Sequence, residues 1–147
     1  MSPDGLALIG PLALAALRDV DRRVQAIGGL TLGADPISYA VAYASAGTAS
    51  PLRAFTVRKE AKTHGTGRLI EGPFYAGDRV AVIEDVITTG GSALRAVDAV
   101  RAAGGTVAGV LALVDREEGG RDALVSAGLP VVALARASDI VTRLPLG

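Results

Sequence analysis

Residues 80–94, Val-Ala-Val-Ile-Glu-Asp-Val-Ile-Thr-Thr-Gly-Gly-Ser-Ala-Leu, constrain the fold of this chain more than any other stretch. An apolar, β-branched run ends in two adjacent carboxylates, Glu84 and Asp85. A Thr-Thr-Gly-Gly-Ser turn then leads into an apolar-periodic helix. The pattern predicts a buried strand, a small-residue loop and a helix, the repeating unit of an open α/β sheet. A loop of this kind can receive a sugar phosphate on its backbone N–H groups, at the positive end of the helix dipole. Carboxylates at the strand end are placed to accept hydrogen bonds from ribose hydroxyls or to reach a hydrated divalent cation. No Lys follows the glycines, so this is not a Walker loop, and the spacing is not the dinucleotide G-x-G-x-x-G.

The remaining chain alternates strand and helix signals, which argues for βαβ units and a mainly parallel sheet. Ser2-Pro3-Asp4 predicts a helix start, with apolar positions through Leu17 and a kink or restart at Pro11. A strand over residues 24–27 runs into a glycine loop. Asp35 then reads as an N-cap with Pro36 at N1 of a helix that stops at Gly47. A second strand is expected at residues 52–57, then a polar segment over 59–72 and a turn at Gly77-Asp78. The key strand is expected over residues 80–83. The helix after Gly91 has apolar positions Leu94, Val97, Val100 and Ala103, and Gly104-Gly105 ends it. Residues 106–114 form a continuous apolar run, expected of a central strand buried on both faces. A short helix at 121–127 and a strand at 130–134 follow. Without repeats or a linker, residues 1–147 are expected to form one domain.

Composition narrows the chemistry. Lys plus Arg equals Asp plus Glu at fifteen each, so no net field attracts nucleic acid or an anionic membrane. The chain has no Cys and one His, which excludes disulfides, thiolate metal centres and multi-histidine sites. A bound metal must then have oxygen ligands, favouring Mg²⁺ or Mn²⁺. The apolar stretch from Leu6 to Leu17 is shorter than the roughly 20 residues that span a bilayer. It has no basic segment before it, so a signal peptide is not expected and a cytoplasmic location is.

Four segments, in matching order, resemble the type I phosphoribosyltransferases and, within them, orotate phosphoribosyltransferase. Glu84-Asp85-Val86-Ile87-Thr88-Thr89-Gly90-Gly91-Ser92 is similar to their phosphoribosyl-pyrophosphate (PRPP) signature. Arg58-Lys59-Glu60-Ala61-Lys62-Thr63-His64-Gly65 resembles the orotate enzyme's mobile catalytic loop. Gly28-Gly29-Leu30-Thr31-Leu32-Gly33-Ala34-Asp35-Pro36 is similar to its pyrophosphate loop, and Val114-Asp115-Arg116-Glu117-Glu118-Gly119-Gly120 to its base-side segment. Four ordered motifs together are far more specific than any one of them.

The resemblance implies a doubly wound α/β fold with helices on both faces and ligands at the strand carboxyl ends. It implies transfer of the 5-phosphoribosyl group from PRPP to orotate, giving orotidine 5′-monophosphate and pyrophosphate in de novo pyrimidine (UMP) biosynthesis, with Mg²⁺ as cofactor. It also implies a homodimer, because the family's catalytic loop reaches into the partner's active site. Catalysis is assigned by resemblance to Lys59, Lys62, His64 and Asp85. PRPP contacts are assigned to Arg58, Lys59, Lys62, His64, Glu84, Asp85, Val86, Ile87, Thr88, Thr89, Gly90, Gly91 and Ser92. Gly29, Leu30, Thr31, Leu32 and Gly33 form the pyrophosphate loop. Thr88 and Arg116 bind orotate, and Glu84 and Asp85 hold the metal indirectly, through ribose hydroxyls or water.

Each motif alone has a plainer explanation. Strand-end carboxylates are often just solvated, Thr-Thr-Gly-Gly-Ser serves as an ordinary N-cap turn, and a Lys pair decorates many surface loops. Gly28 to Gly33 could be only a tight strand-to-helix turn, and Arg116 a solvated charge. Two departures from the family pattern stand out. Many orotate enzymes carry Lys where this chain has Leu32. Family members also usually carry a further segment of a few tens of residues before the equivalent of Met1, forming a hood over the base. This sequence does not include it; a misplaced start, a shortened chain and a trimmed protein with an incomplete base site all fit. Two other functions stay open: a phosphoribosyltransferase for a purine or uracil, and a non-catalytic PRPP- or nucleotide-binding regulator.

Overall fold

The structure, a computed structural model, describes residues 1–60 and 68–142. Helix α1 (Pro3–Val20) is followed by β1 (Ala26–Leu30), α2 (Ala34–Ser45), β2 (Arg53–Val57) and β3 (Ile70–Glu71). The second half runs β4 (Arg79–Ile87), α3 (Gly91–Ala102), β5 (Thr106–Asp115), α4 (Gly120–Ser126), β6 (Val131–Arg136) and α5 (Ala137–Val141). The sheet order is β3-β2-β1-β4-β5-β6. All neighbours are parallel except the short β3, which runs antiparallel to β2. The chain winds outward in one direction from β1 and in the other from β4. The junction of these two strands is therefore the switch point where open α/β sheets bind ligands.

Side-chain alternation along β4 divides the core. Val80 and Val82 pack with Ala93, Ala96, Val97 and Val100 of α3 and with Leu124 of α4. Ala81 and Ile83 pack instead with Ala13 and Leu17 of α1 and with Ile37 and Val41 of α2. Strand period two thus places helices on both faces, as expected. Each fully buried Val, Leu or Ile contributes about 1.5–3 kcal/mol relative to exposure.

Several local expectations are corrected. Helix α1 runs through Pro11 without a restart. Pro11 is exposed, so its ring and the carbonyl it frees meet solvent. One residue earlier, Gly10 lets the helix backbone come close to α2, where an added Cβ would sit 2.6 Å from the Ala40 carbonyl oxygen. Asp35 is not the N-cap: α2 begins at Ala34, with Gly33 before it. Gly28 and Gly29 lie inside β1 rather than in a loop. A Cβ on Gly28 would collide with the Phe55 carbonyl and ring, and one on Gly29 with the Ile83 carbonyl and Ala34. Close strand and helix approach, rather than turn freedom, requires these two glycines. Strand β4 continues past Ile83 through Glu84 to Ile87, because β5 keeps pairing with it as far as Ile87↔Asp115.

Candidate active site

The carboxyl half of β4 is paired on one side only. Its register with β1 ends at Gly28↔Val82, whereas that with β5 continues to Ile87↔Asp115. The chain leaving β1 therefore departs beside Glu84 and Asp85, and a crevice opens at the switch point. Gly33 returns against Asp85 so closely that a Cβ there would lie 2.5 Å from Asp85 Oδ2. This contact brings two of the four motifs together. The Thr31–Leu32 peptide bond in this loop is cis.

Glu84 is only 7% exposed, and Asp85 is half-buried. Burial, then the hydrogen bond and negative charge of adjacent Asp85, push the Glu84 carboxyl up to about 7. Two touching carboxylates resist simultaneous ionisation. Asp85 Oδ1 accepts the Val86 N–H at 2.8 Å, which fixes the orientation of the Asp85 side chain.

Thr88, Thr89, Gly90, Gly91 and Ser92 follow directly and turn the chain into α3. Gly90 holds φ 84°, the left-handed region natural to glycine, so that Gly91 can begin the helix. Gly90 also packs against Gly120, where an added Cβ would be 3.0 Å from the carbonyl oxygen. The third motif is stitched to this turn. The Arg116 N–H donates to the Ile87 carbonyl at 3.0 Å, and the Gly120 N–H to the Thr88 carbonyl at 2.9 Å. Thr88, Thr89, Gly91 and Ser92 keep some exposure, but the Ile87 side chain is core, 1% exposed. Only the backbone of Ile87 is available to a ligand. Val86 is partly exposed.

The cations are arranged unevenly. Arg58 pairs with Glu71 at 3.0 Å, and the Lys59 carbonyl accepts Arg95 Nη2 at 2.7 Å, so α3 anchors the segment after β2. Lys62 and His64 lie outside the described residues. Arg116 is exposed and paired with Glu118 at 2.7 Å. Leu32 projects into solvent, 79% exposed, while Leu30 is buried in the core.

A cavity of about 870 Å³ lies alongside, bordered by Thr31, Asp35, Tyr39, Thr56, Arg58 and Lys59 among others. Glu84, Asp85 and residues 88–92 do not line it. The crevice is nevertheless the better candidate for the chemistry, because it holds the paired carboxylates and the helix N-terminus at the switch point. Among the described residues no three acidic or His side chains cluster to cage a metal. Among them, too, no helix is long and apolar enough to cross a membrane.

Sequence reasoning missed the side chains that tie these motifs to the scaffold: Asp35, Thr56, Tyr39 and Arg95. A signal existed for Thr56, a polar residue between the buried Phe55 and Val57 of β2.

No family model matches the chain. Orotate phosphoribosyltransferase of Aquifex aeolicus is 49% identical over 139 residues, covering 95% of this chain and 75% of that protein. The crystal structure of Mycobacterium tuberculosis orotate phosphoribosyltransferase with inorganic phosphate superposes with a TM-score of 0.84. It is 41% identical and covers 96% of this chain and 75% of its own. The same enzyme in complex with PRPP gives a TM-score of 0.76 at 40% identity, covering 92% and 75%.

Proposed function

This chain belongs to the orotate phosphoribosyltransferase family, and on that premise we propose that it transfers the 5-phosphoribosyl group of PRPP to orotate. The bond from ribose C1 to the pyrophosphate oxygen breaks, and a bond from C1 to an orotate ring nitrogen forms. Pyrophosphate leaves, orotidine 5′-monophosphate results, and the nitrogen's proton is released. The step serves de novo UMP synthesis. The observation that carries the reading is the meeting of Gly33 with Asp85 at the β1–β4 switch point, beside the Gly90 turn.

In this reading Glu84 and Asp85 accept hydrogen bonds from the ribose hydroxyls. Thr88 to Ser92 enclose the 5′-phosphate with hydroxyls and with amides at the start of α3. Residues 29–33 receive the pyrophosphate. Arg116, released from Glu118, pairs with the orotate carboxylate, and a planar guanidinium suits that geometry. Lys59, with Lys62 and His64, stabilises charge growing on the departing pyrophosphate. No covalent nucleophile is needed, so positioning and electrostatics carry the rate.

Two adjacent carboxylates suit magnesium, which keeps several waters and binds one or two carboxylates together with substrate oxygens. Glu84 and Asp85 would hold it through water or ribose hydroxyls, and it would supply charge neutralisation at the pyrophosphate. The active form is a homodimer whose catalytic loops complete the partner's sites, and the enzyme works in the cytoplasm.

The test is a base-specificity assay with PRPP and orotate, uracil, hypoxanthine or adenine, with pyrophosphate release as readout. Turnover with orotate alone is expected. Turnover with another base would reassign the substrate, and calorimetric PRPP binding without turnover of any base would make the protein a PRPP-binding regulator.

A further inference from the structure

The loop after β1 is gripped by a carboxylate outside the set assigned above to the transfer. Asp35, in the first turn of α2, accepts Thr31 Oγ1 at 2.7 Å on Oδ2 and Thr56 Oγ1 at 2.9 Å on Oδ1. The Tyr39 hydroxyl lies 3.1 Å from the same Thr56 oxygen. The backbone follows the same path. The Asp35 N–H donates to the Leu32 carbonyl at 3.2 Å, and the Thr31 N–H to the Val57 carbonyl at 2.8 Å. One side chain thereby joins the loop, α2 and β2.

A negative group is an odd neighbour for a loop that receives pyrophosphate, since like charges repel. Direct binding is thus a poor account of Asp35. Its oxygens each hold a threonine hydroxyl, which turns both hydroxyl hydrogens toward the carboxylate. The same loop also presents Gly33 to Asp85, with no room for even a methyl group between them. The loop thus meets two carboxylates, one fixing Thr31 and the other facing Gly33. We infer that Asp35 is a positioning residue for the pyrophosphate loop, acting through Thr31 and Thr56 to set Gly33 against Asp85. The consequence is selective: Asp35 governs affinity for the pyrophosphoryl end of PRPP and leaves orotate recognition alone.

This inference rests on the function proposed above, and its test separates the two. Titration of pyrophosphate and of PRPP by calorimetry, with Mg²⁺ present, reads the loop without requiring turnover. Asp35→Ala should weaken both ligands about tenfold or more, as expected when a partly buried hydrogen-bond hub is removed. In steady-state kinetics the KM for PRPP should rise while the KM for orotate stays within about twofold. Asp35→Asn should recover most of the affinity, because an amide still offers one acceptor and one donor to two hydroxyls that can each do either. Should Asp35→Ala fail to fold, Thr56→Val removes half of the same clamp from β2, outside the loop that receives the pyrophosphate. It should reproduce the split, with Thr56→Ser rescuing it. Unchanged pyrophosphate affinity in a folded Asp35→Ala or Thr56→Val protein would overturn the inference. So would an equal rise in both KM values. A parent chain that binds pyrophosphate but turns over no orotate would refute the proposed function and leave the Asp35 result standing.

Discussion

Gly33 and Asp85, from different strands' exits, lie so close that a Cβ on Gly33 would fall 2.5 Å from Oδ2 and 2.7 Å from Cγ of Asp85. Gly33 has φ −59° and ψ −42°, helical values that any L-residue adopts without strain. The glycine is required by its neighbour, and its own backbone does not demand it.

Gly33→Ala should therefore fold normally yet displace Asp85. The expected outcome is a Tm within a few degrees of the parent and a kcat/KM for PRPP lowered by about tenfold or more. Steady-state kinetics and a melting curve check it together. A variant with parental kcat/KM would show that the Asp85 carboxylate can move aside without consequence.

Glu84 gives a pH-dependent prediction. Its carboxyl titrates near 7 when folded, raised chiefly by burial and then by Asp85, against an ordinary value of 4.5. Between those values the folded state binds more protons than the unfolded one, so stability falls as pH rises from 4.5 to 7. Glu84→Gln removes this penalty. Its unfolding free energy should match the parent's near pH 4.5 and exceed it increasingly up to pH 7, by up to about 3 kcal/mol at the plateau. A difference independent of pH would show that Glu84 ionises normally in the fold.

Arg116 and Glu118 form an exposed ion pair at 2.7 Å, with 55% and 43% of their side chains accessible. Orotate must compete with Glu118 for Arg116 if Arg116 binds its carboxylate. Glu118→Gln should lower the KM for orotate about twofold to threefold, a small effect suited to a solvated pair, and leave the KM for PRPP unchanged. Added salt should narrow the difference. A higher KM for orotate would mean that Glu118 helps to hold the base.

Arg53 and Asp78 tie β2 to the turn before β4 through two hydrogen bonds of 2.8 and 2.7 Å. Burial raises the Asp78 carboxyl, but Arg53 and the Tyr75 N–H outweigh it and hold the group below its ordinary value. This stability is present above the ordinary carboxylate range and is lost as acid protonates the folded Asp78. Asp78→Ala removes the carboxylate partner of Arg53, leaving it the Pro73 carbonyl and the Tyr75 ring, and should cost about 2–3 kcal/mol at neutral pH in urea unfolding. A cost near that of a surface pair, below about 0.5 kcal/mol, would contradict this account.

The shared-site dimer is tested by complementation. Lys62→Ala alone should lower kcat by about 10²-fold, more than it weakens PRPP binding. Mixed with an Asp85→Ala chain, it should regain up to about a quarter of parental activity, because half the reassorted dimers carry one intact site. Heterodimers without activity would show that each subunit uses its own loop.

The motifs of this chain were legible because their chemistry depends on short, local spacing. Glu84 to Ser92 reads as strand, carboxylates and phosphate turn whatever the rest of the protein does. The alternation of β and α signals likewise implied a parallel sheet with helices on both faces. Errors arose where a residue's role depends on a distant neighbour. Asp35 before Pro36 has the local form of an N-cap, but Thr31 and Thr56 claim its carboxylate. Gly28 and Gly29 have the form of a loop, but β2 and β4 crowd them inside β1. Pro11 has the form of a helix break, but α1, held close to α2 at Gly10, runs through it.

Sequence by itself determined the fold class, the family and the order of the ligand-binding segments, because periodicity and motif spacing are properties of neighbouring residues. Tertiary structure alone decided where β1 stops pairing with β4, which opens the crevice and sets Gly33 on Asp85. It also raised Glu84 toward neutrality, since desolvation depends on atoms brought from elsewhere in the chain. Contacts between segments tens of residues apart form only when the sheet order is fixed, and no local pattern encodes their distances.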